Sequence, residues 1–164
     1  MKKLILVLIA LSVAFSFVAC KSENTEPSGL EGSLEDILDK IYETAELDDS
    51  FKRFVEEGLM VQEITEENIK YHLGVEEMEY EEAIASEPIM QPGAYSLCLV
   101  RAKEGADIEQ MKADIKKNVD PRKWICVGVD EENVIVDNIG DVIFLVMSNT
   151  NAQELHQAFL ALKD

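Results

Sequence analysis

Apolar residues at helical spacing mark the beginning of the folded part of the chain. The positions concerned are Leu34, Ile37, Leu38 and Ile41. Intervals of three and four residues place such side chains on one face of an α-helix. Ser33 stands before them as an N-cap, and Asp36 at the third helical position can complete a capping box. These signals predict an amphipathic helix that begins at Leu34.

Four further helices are predicted from the same spacing and from helix start and stop signals. They are residues 50–57, ended by Gly58; a short helix after Thr65, closed by Gly74 as a C-cap; residues 107–119, with Asp107 as N-cap and Pro121 as the stop; and a terminal helix from Asn149 or Asn151 to Leu162. The short connections between the elements favour a single domain.

Runs of β-branched and aromatic residues predict the strands of a sheet. The runs are residues 61–64, 80–86, 95–103, 124–129, 133–139 and 142–148. Turn residues at 130–132 and 140–141 join the last three runs into an antiparallel meander. The order of elements predicts an α+β fold, with a mainly antiparallel sheet of four to six strands and helices packed on it.

The last predicted strand requires cover on both of its faces. Residues 142–147 are apolar without a break, and successive side chains of a strand point to opposite faces. We expect the helices at 107–119 and 151–162 on one face of the sheet. The N-terminal helix is expected on the other, because its own apolar stripe also needs a partner.

The charge balance excludes one class of partner. The 164-residue chain has 15 Lys and Arg against 33 Asp and Glu, which gives a net charge of −18. A surface this acidic repels phosphate backbones, so nucleic-acid binding is not expected. Hydrophobic residues form 47% of the chain, which is enough for a core and argues against disorder despite the charge.

The first 19 residues have the layout of an export signal. Lys2 and Lys3 precede an apolar run that extends from Leu4 to Val18. This run is shorter than the roughly 20 residues of a membrane-spanning helix but suits the core of a signal peptide. Loss of Lys2 and Lys3 with the signal would lower the net charge by two more, to −20.

The end of this run resembles the lipobox of bacterial lipoproteins. Phe17-Val18-Ala19-Cys20 matches that motif at Ala19 and Cys20, and departs from it at the bulkier Phe17 and Val18. The resemblance implies cleavage before Cys20, acylation of its thiol and anchoring in membrane lipid on the extracytoplasmic side. Two acyl chains at Cys20 would give firm anchoring. An ordinary secretory signal and an uncleaved anchor are the alternatives.

The expected organisation has three parts. Residues 1–19 form the lipoprotein signal peptide, residues 20–32 hold the lipidated Cys20 and a flexible linker, and residues 33–164 form the single α+β domain. The linker prediction rests on the polar, Ser-, Pro- and Gly-containing composition of residues 21–32.

Two cysteines remain inside the domain. Cys98 and Cys126 each lie within an apolar run that is predicted to be a strand. An exported protein with two cysteines permits a disulfide. Buried free thiols behave as small hydrophobes, and we favour two inert core thiols over a bridge.

Metal and catalytic motifs are weak in this sequence. His72 and His156 are the only histidines, and neither has a second ligand at metal-binding spacing, so both are expected at surfaces or helix ends. The glutamates between residues 76 and 82 are interpreted as a solvated face, with weak divalent-cation binding as the alternative. No catalytic, cofactor-binding or metal residue is assigned.

Two local clusters contain residue types that could carry chemistry but that are also typical of turns and helix ends. Asp137 and Asp141 could form a pair of acid–base carboxylates, but their types in Asp137-Asn138-Ile139-Gly140-Asp141 are those of a tight turn. Residues 120–124 are the one basic and aromatic spot in the chain. They could bind an anion, but are better explained as a helix stop followed by an edge residue.

The domain as a whole resembles a family of lipoproteins with a domain of unknown function from Gram-positive anaerobes. The resemblance runs from about Ser33 to Phe159 and rests on element order and on short patches. These patches are Asn68-Ile69-Lys70-Tyr71-His72-Leu73-Gly74, Glu79-Tyr80-Glu81-Glu82 and Asn138-Ile139-Gly140-Asp141-Val142. It implies a lipid-anchored location and carries no assigned activity or functional residue.

The expected function is therefore an interaction or ligand-binding module of the cell envelope. Its expected partners are membrane lipid, through acylated Cys20, and an envelope protein or ligand of unknown identity. The alternatives are a small envelope enzyme that uses the carboxylates near Asp137, or a structural envelope component. A close, buried carboxylate pair would favour the enzyme, and an exposed apolar patch would favour the binding module.

Overall fold

Five strands form one antiparallel sheet with helices on both of its faces. The computed structural model describes residues 29–163; the predicted signal peptide, Cys20 and most of the predicted linker lie outside these residues. The helices are α1 (Leu34–Thr44), α2 (Asp49–Gly58), α3 (Ile69–Leu73), α4 (Ile108–Asn118) and α5 (Ala152–Ala161). The strands are β1 (Leu59–Glu63), β2 (Tyr80–Pro88), β3 (Tyr95–Ala102), β4 (Val134–Ile139) and β5 (Val142–Ser148).

The strand order is β1-β2-β3-β5-β4, and each neighbouring pair is antiparallel. The α+β prediction, with four to six mainly antiparallel strands, is therefore confirmed. Strands β1 and β4 are the two edges of the sheet. The central strands β3 and β5 are buried on both sides, as the unbroken apolar run of β5 predicts.

One face of the sheet, here called the α1 face, is covered by α1 and α5. Ile37 and Ile41 of α1 pack in the same core as Phe144 of β5 and Phe159 of α5. The rings of Phe144 and Phe159 are stacked with centroids 4.8 Å apart. The N-terminal helix thus covers a face of the sheet, as expected.

The opposite face, here called the α4 face, has a different cover from the one expected. Met111 and Ile115 of α4, Leu73 of α3, and Trp124 and Val129 pack over it. The prediction that the terminal helix shares this face with α4 is wrong. Its place is taken by α3 and by the connection at residues 119–129, so α5 lies beside α1 instead.

Residues 124–129 are not a strand, and the predicted three-stranded meander is reduced to the β4–β5 hairpin. Trp124 and Val129 are buried, whereas Ile125 and Cys126 are exposed. Cys126 has φ 62°, a left-handed conformation that breaks the pleat of a strand. Val129 N–H donates to the carbonyl of Pro121 at 2.8 Å, which closes the segment into a loop.

The predicted caps position the helices as expected. Asp36 N–H donates to Ser33 Oγ at 3.1 Å, which confirms the capping box of α1. Gly74 ends α3 at φ 76°, and a Cβ there would lie 2.2 Å from the carbonyl oxygen of Asn118. Only glycine allows this close approach of α3 to the end of α4. No helix within residues 29–163 is long and apolar enough to span a bilayer.

Arg101 attaches the segment before α1 to one end of the sheet. Its guanidinium donates to the carbonyls of Leu30 at 3.0 Å and Gly32 at 2.7 Å. The same group pairs with Glu82 of β2 at 3.0 Å and with Asp141 at 3.4 Å. We call this set of contacts the Arg101 clamp; it fixes where the chain enters the domain.

Candidate functional site

Polar side chains are buried at the end of the sheet opposite the Arg101 clamp. They lie where β2 ends, at Ser86 and Glu87, and where β3 begins, at Tyr95 and Ser96. Because neighbouring residues of a strand point to opposite faces, Ser86 and Tyr95 lie on the α1 face, and Glu87 and Ser96 lie on the α4 face. Two polar networks therefore lie back to back at this end.

The network on the α4 face joins side chains from three parts of the chain, and we call it the charged cluster. Its members are His72, Glu87, Ser96 and Lys123. Glu87 Oε1 accepts from Lys123 Nζ at 2.5 Å, from Ser96 Oγ at 2.8 Å and from His72 Nδ1 at 3.2 Å. The side chains of Glu87 and Lys123 are only 5% and 4% exposed. This is a buried ion pair with two further hydrogen bonds to the carboxylate.

The charged state of Glu87 is stabilised by these contacts. Burial alone would raise the pKa of a carboxyl group. Hydrogen bonds from His72, Lys123 and Ser96, together with the charge of Lys123, outweigh burial and hold the pKa of Glu87 below its ordinary value. Lys123 Nζ also lies 4.4 Å from the centroid of the Tyr71 ring, so the cation faces an aromatic surface.

The network on the α1 face is formed by hydroxyl groups. Tyr42 of α1 donates to Ser86 Oγ at 2.9 Å, and its oxygen lies 2.8 Å from the hydroxyl of Tyr95. Burial raises the pKa of Tyr42 to about 12. The Tyr95 ring meets the rings of Phe51 and Phe54 of α2 edge-on. These contacts attach α1 and α2 to the polar end of the sheet.

Ser96 and Lys123 of the charged cluster, and Cys98 beside Ser96, are residue types that serve as nucleophiles or bases in enzymes, but here their side chains are buried. Ser96 and Cys98 are fully buried, so a substrate has no access to either side chain. Burial raises the pKa of Cys98 to about 11, which leaves the thiol protonated at neutral pH. Lys123 is held in the buried ion pair with Glu87.

Exposed apolar side chains border the charged cluster, and we call them the apolar rim. They are Met60, Tyr71, Ile89, Met90 and Ile125, each between 43% and 79% exposed. Met60 of β1 is paired in register with Glu87, and Tyr71 lies beneath Lys123. The other three follow Glu87 or Lys123 by two or three residues. The rim thus places accessible apolar surface beside a buried ion pair.

The two carboxylates weighed for acid–base chemistry have separate partners. Asp137 Oδ2 lies 2.7 Å from His156 Nε2, whereas Asp141 belongs to the Arg101 clamp. Burial would raise the pKa of Asp137, but hydrogen bonds from His156 and the Asn138 N–H lower it below its ordinary value. In the described part of the chain, no hydroxyl or thiol is hydrogen-bonded to His156.

The two cysteines of the domain differ in environment. Both are free, Cys98 in the core and Cys126 at the surface. The expectation of two buried thiols is confirmed for Cys98 and wrong for Cys126. The physical reason is the left-handed turn at Cys126, which directs residues 125 and 126 outward while Trp124 and Val129 fill the core.

Sequence reasoning missed the charged cluster. His72 is at a helix end, as expected, but is buried rather than at the surface. Lys123 points inward to Glu87, so the interpretation of residues 120–124 as a helix stop and an edge residue omits its role as an ion-pair partner. The sequence feature that could have revealed the charged cluster is the presence of two polar residues, Glu87 and Ser96, at the ends of largely apolar strands.

Within residues 29–163, no group of three or more His, Cys, Asp or Glu side chains is arranged to hold a metal ion. Comparisons of the chain with protein-family models, curated proteins and solved structures found no match.

Proposed function

We propose that this protein is a lipid-anchored, extracytoplasmic interaction module that binds a partner in the cell envelope through the apolar rim. The observation that supports this most directly is the set of exposed apolar side chains beside the buried charged cluster. Accessible apolar groups of this kind are typical of binding surfaces. Met90, the most exposed of them at 79%, is the natural centre of the contact.

An interaction role accounts for the rim better than catalysis does. Ser96 and Cys98 are buried. Asp137 and Asp141 have different partners, His156 and Arg101. Exposed apolar side chains beside a buried ion pair give a partner apolar surface to bind.

Site-specific photo-crosslinking in cells tests the binding surface. A photoreactive amino acid at residue 90 should give a discrete adduct of higher mass. The matched control is the same amino acid at Glu131, an exposed residue outside the rim, which should give none. Equal yields at both positions, or none at residue 90, would refute binding through the rim.

Acyl labelling tests the anchoring. Cells fed an alkyne-tagged palmitate should label the wild-type protein, and Cys20→Ser should remove the label and release the protein from the membrane fraction. Cys126→Ser is the control, because it removes an exposed thiol from the domain and should leave labelling unchanged. Persistent labelling of Cys20→Ser would contradict the lipoprotein assignment.

A further inference from the structure

We infer that the outer edge of β1 binds an extended, cationic segment of a partner protein by strand addition. This inference rests on the proposed interaction function and specifies one docking mode and the chemistry of the partner. A strand added to an open edge gains main-chain hydrogen bonds, and pockets beside the edge select its side chains.

The hydrogen bonds of β1 leave one set of backbone groups directed outward. Ile64 N–H donates to Ala83 at 2.8 Å, and Ile89 N–H donates to Gly58 at 2.9 Å. In an antiparallel ladder these bonds alternate, so even-numbered residues from 58 to 64 face β2 and odd-numbered residues face away. The outward N–H and C=O of Val61 have no hydrogen-bond partner among residues 29–163.

Side chains occupy outward backbone groups at both edges of the sheet, but those of Val61 in the middle of β1 stay unbonded within residues 29–163. At the end of β1, the Asn68 side-chain amide donates to the carbonyl of Glu63 at 3.0 Å. On β4, the Lys116 ammonium donates to the carbonyl of Val134, and the Asn138 N–H donates to Asp137 Oδ1 at 2.8 Å. Side chains therefore occupy outward groups of β4, as native proteins do to prevent strand addition. At β1, two apolar side chains are exposed instead, Met60 at 46% and Val61 at 44%.

A groove of about 350 Å³ lies beside β1, between the strand and the start of α1. Its lining includes Val61 and the glutamates Glu35, Glu63 and Glu82, with no basic residue among the lining side chains. Of these glutamates, Glu82 is paired with Arg101. A Lys or Arg side chain of an added strand could enter this groove and place its cation near Glu35 and Glu63.

The negative charge around β1 favours a cationic partner segment. Residues 56–67 contain five glutamates and no Lys, Arg or His, and all five glutamates are exposed. A cationic segment is attracted to this edge. A second copy of the chain would instead place one set of five glutamates against another, which is repulsive.

The test uses defined peptides and the full chain purified in neutral detergent. The probe is an eight-residue peptide of alternating Lys and Val with blocked ends. We expect it to bind at low salt and to slow amide hydrogen exchange in residues 59–63 at least fivefold. The same peptide with its four central amides N-methylated keeps the charge but cannot pair as a strand, and should bind at least tenfold more weakly.

Variants of the chain separate strand addition from general charge attraction. Val61→Pro removes the outward N–H, a change that an edge strand tolerates, and should weaken binding of the Lys–Val peptide at least fivefold. If that variant does not fold, Glu35→Lys with Glu63→Lys provides the test by reversing charge in the groove. Glu131→Lys with Glu132→Lys is the control, because it makes the same charge change away from β1.

The inference is overturned if the N-methylated peptide binds as well as its parent, or if the control pair weakens binding as much as the groove pair. It is also overturned if protection of residues 59–63 appears without peptide and grows with protein concentration, since the edge would then bind a second copy. If the Lys–Val peptide neither binds nor slows exchange in residues 59–63 while the crosslink at residue 90 persists, strand addition is refuted and the proposed interaction function stands.

Discussion

Glu87 connects three parts of the domain that are distant in sequence. Its carboxylate is bonded to His72 at the end of α3, to Ser96 in β3 and to Lys123 in the 119–129 connection. A buried ion pair adds little stability over a well-packed apolar replacement, but removal of one partner is costly because the other charge remains buried. The cluster therefore fixes the position of the connection that carries Trp124.

Glu87→Gln should destabilise the protein by about 3 kcal/mol at pH 7, because Lys123 would be left without its counter-charge. Since the pKa of Glu87 is lowered on folding, its carboxylate stabilises the fold above the unfolded-state pKa. This contribution is lost as the pH falls through the folded-state pKa. The variant should thus show a shallower loss of stability in acid, measured by urea unfolding at several pH values.

Glu79→Gln is the matched control for this experiment. Glu79 is exposed, so the same chemical change should alter the unfolding free energy by less than about 0.5 kcal/mol. If Glu79→Gln and Glu87→Gln lower the unfolding free energy equally, the charged cluster does not fix the position of the 119–129 connection.

The thiols provide a second test at the scale of single residues. With Cys20 replaced by Ser, a maleimide should react with one thiol per native chain, Cys126, and with two after unfolding. Cys98 is protected by burial, which also raises its pKa to about 11. Mass spectrometry of the labelled protein counts the adducts. Two adducts on the native chain would contradict the burial of Cys98. Labelling that appears only after a reductant is added would contradict the assignment of both thiols as free.

Among the elements, those with strong local signals were predictable. The capping box at Ser33, the αL cap at Gly74 and the glycine turn of the β4–β5 hairpin each determine the backbone within a few residues. Residues 124–129 were not predictable in this way. Their apolar content resembles a strand, but it serves to bury Trp124 and Val129 beneath a loop, which only the tertiary packing decides.

The same distinction explains the candidate site. The turn position of Asp141 could be predicted, but the same interpretation is wrong for Asp137, which lies within β4. The partners of these two aspartates, Arg101 and His156, come from distant segments. The assignment of α5 to a face failed for a related reason. The apolar stripe of α5 fits either face of the sheet. The helix packs on the α1 face because α3 and residues 119–129 already cover the α4 face beside α4.

At the scale of elements, α1 should be essential to the fold. Ile37 is 1% exposed and belongs to the α1-face core. Ile37→Ala should reduce the unfolding free energy by about 2–5 kcal/mol, through lost burial and the cavity it leaves. Glu35→Ala, on the exposed side of the same helix, should change it by less than about 0.5 kcal/mol. Similar effects of both substitutions in urea unfolding would show that α1 does not seal this face.

At the scale of the whole molecule, charge repulsion opposes folding. The chain has a net charge of −18, and its described surface is rich in exposed glutamates. Added salt screens interactions between exposed charges beyond a Debye length of about 10 Å at 0.1 M. We expect the Tm to rise between 20 and 200 mM NaCl, measured by circular dichroism. An unchanged Tm over this range would show that the charges are too far apart to matter.

The Arg101 clamp gives the domain a proximal and a distal pole. The chain enters at Leu30–Gly32 beside one end of the sheet, while the apolar rim lies at the other end, beyond the start of β3. The six residue steps of β3 from Tyr95 to Arg101 separate the two poles by about 20 Å. With the chain attached to a membrane through Cys20, the clamp would hold the rim on the side facing away from the bilayer.

A fluorophore at residue 90 should then lie farther from a membrane-surface acceptor than one at residue 104, and Arg101→Gln should reduce the difference. The clamp would thus direct the binding surface toward other components of the envelope rather than toward the lipid.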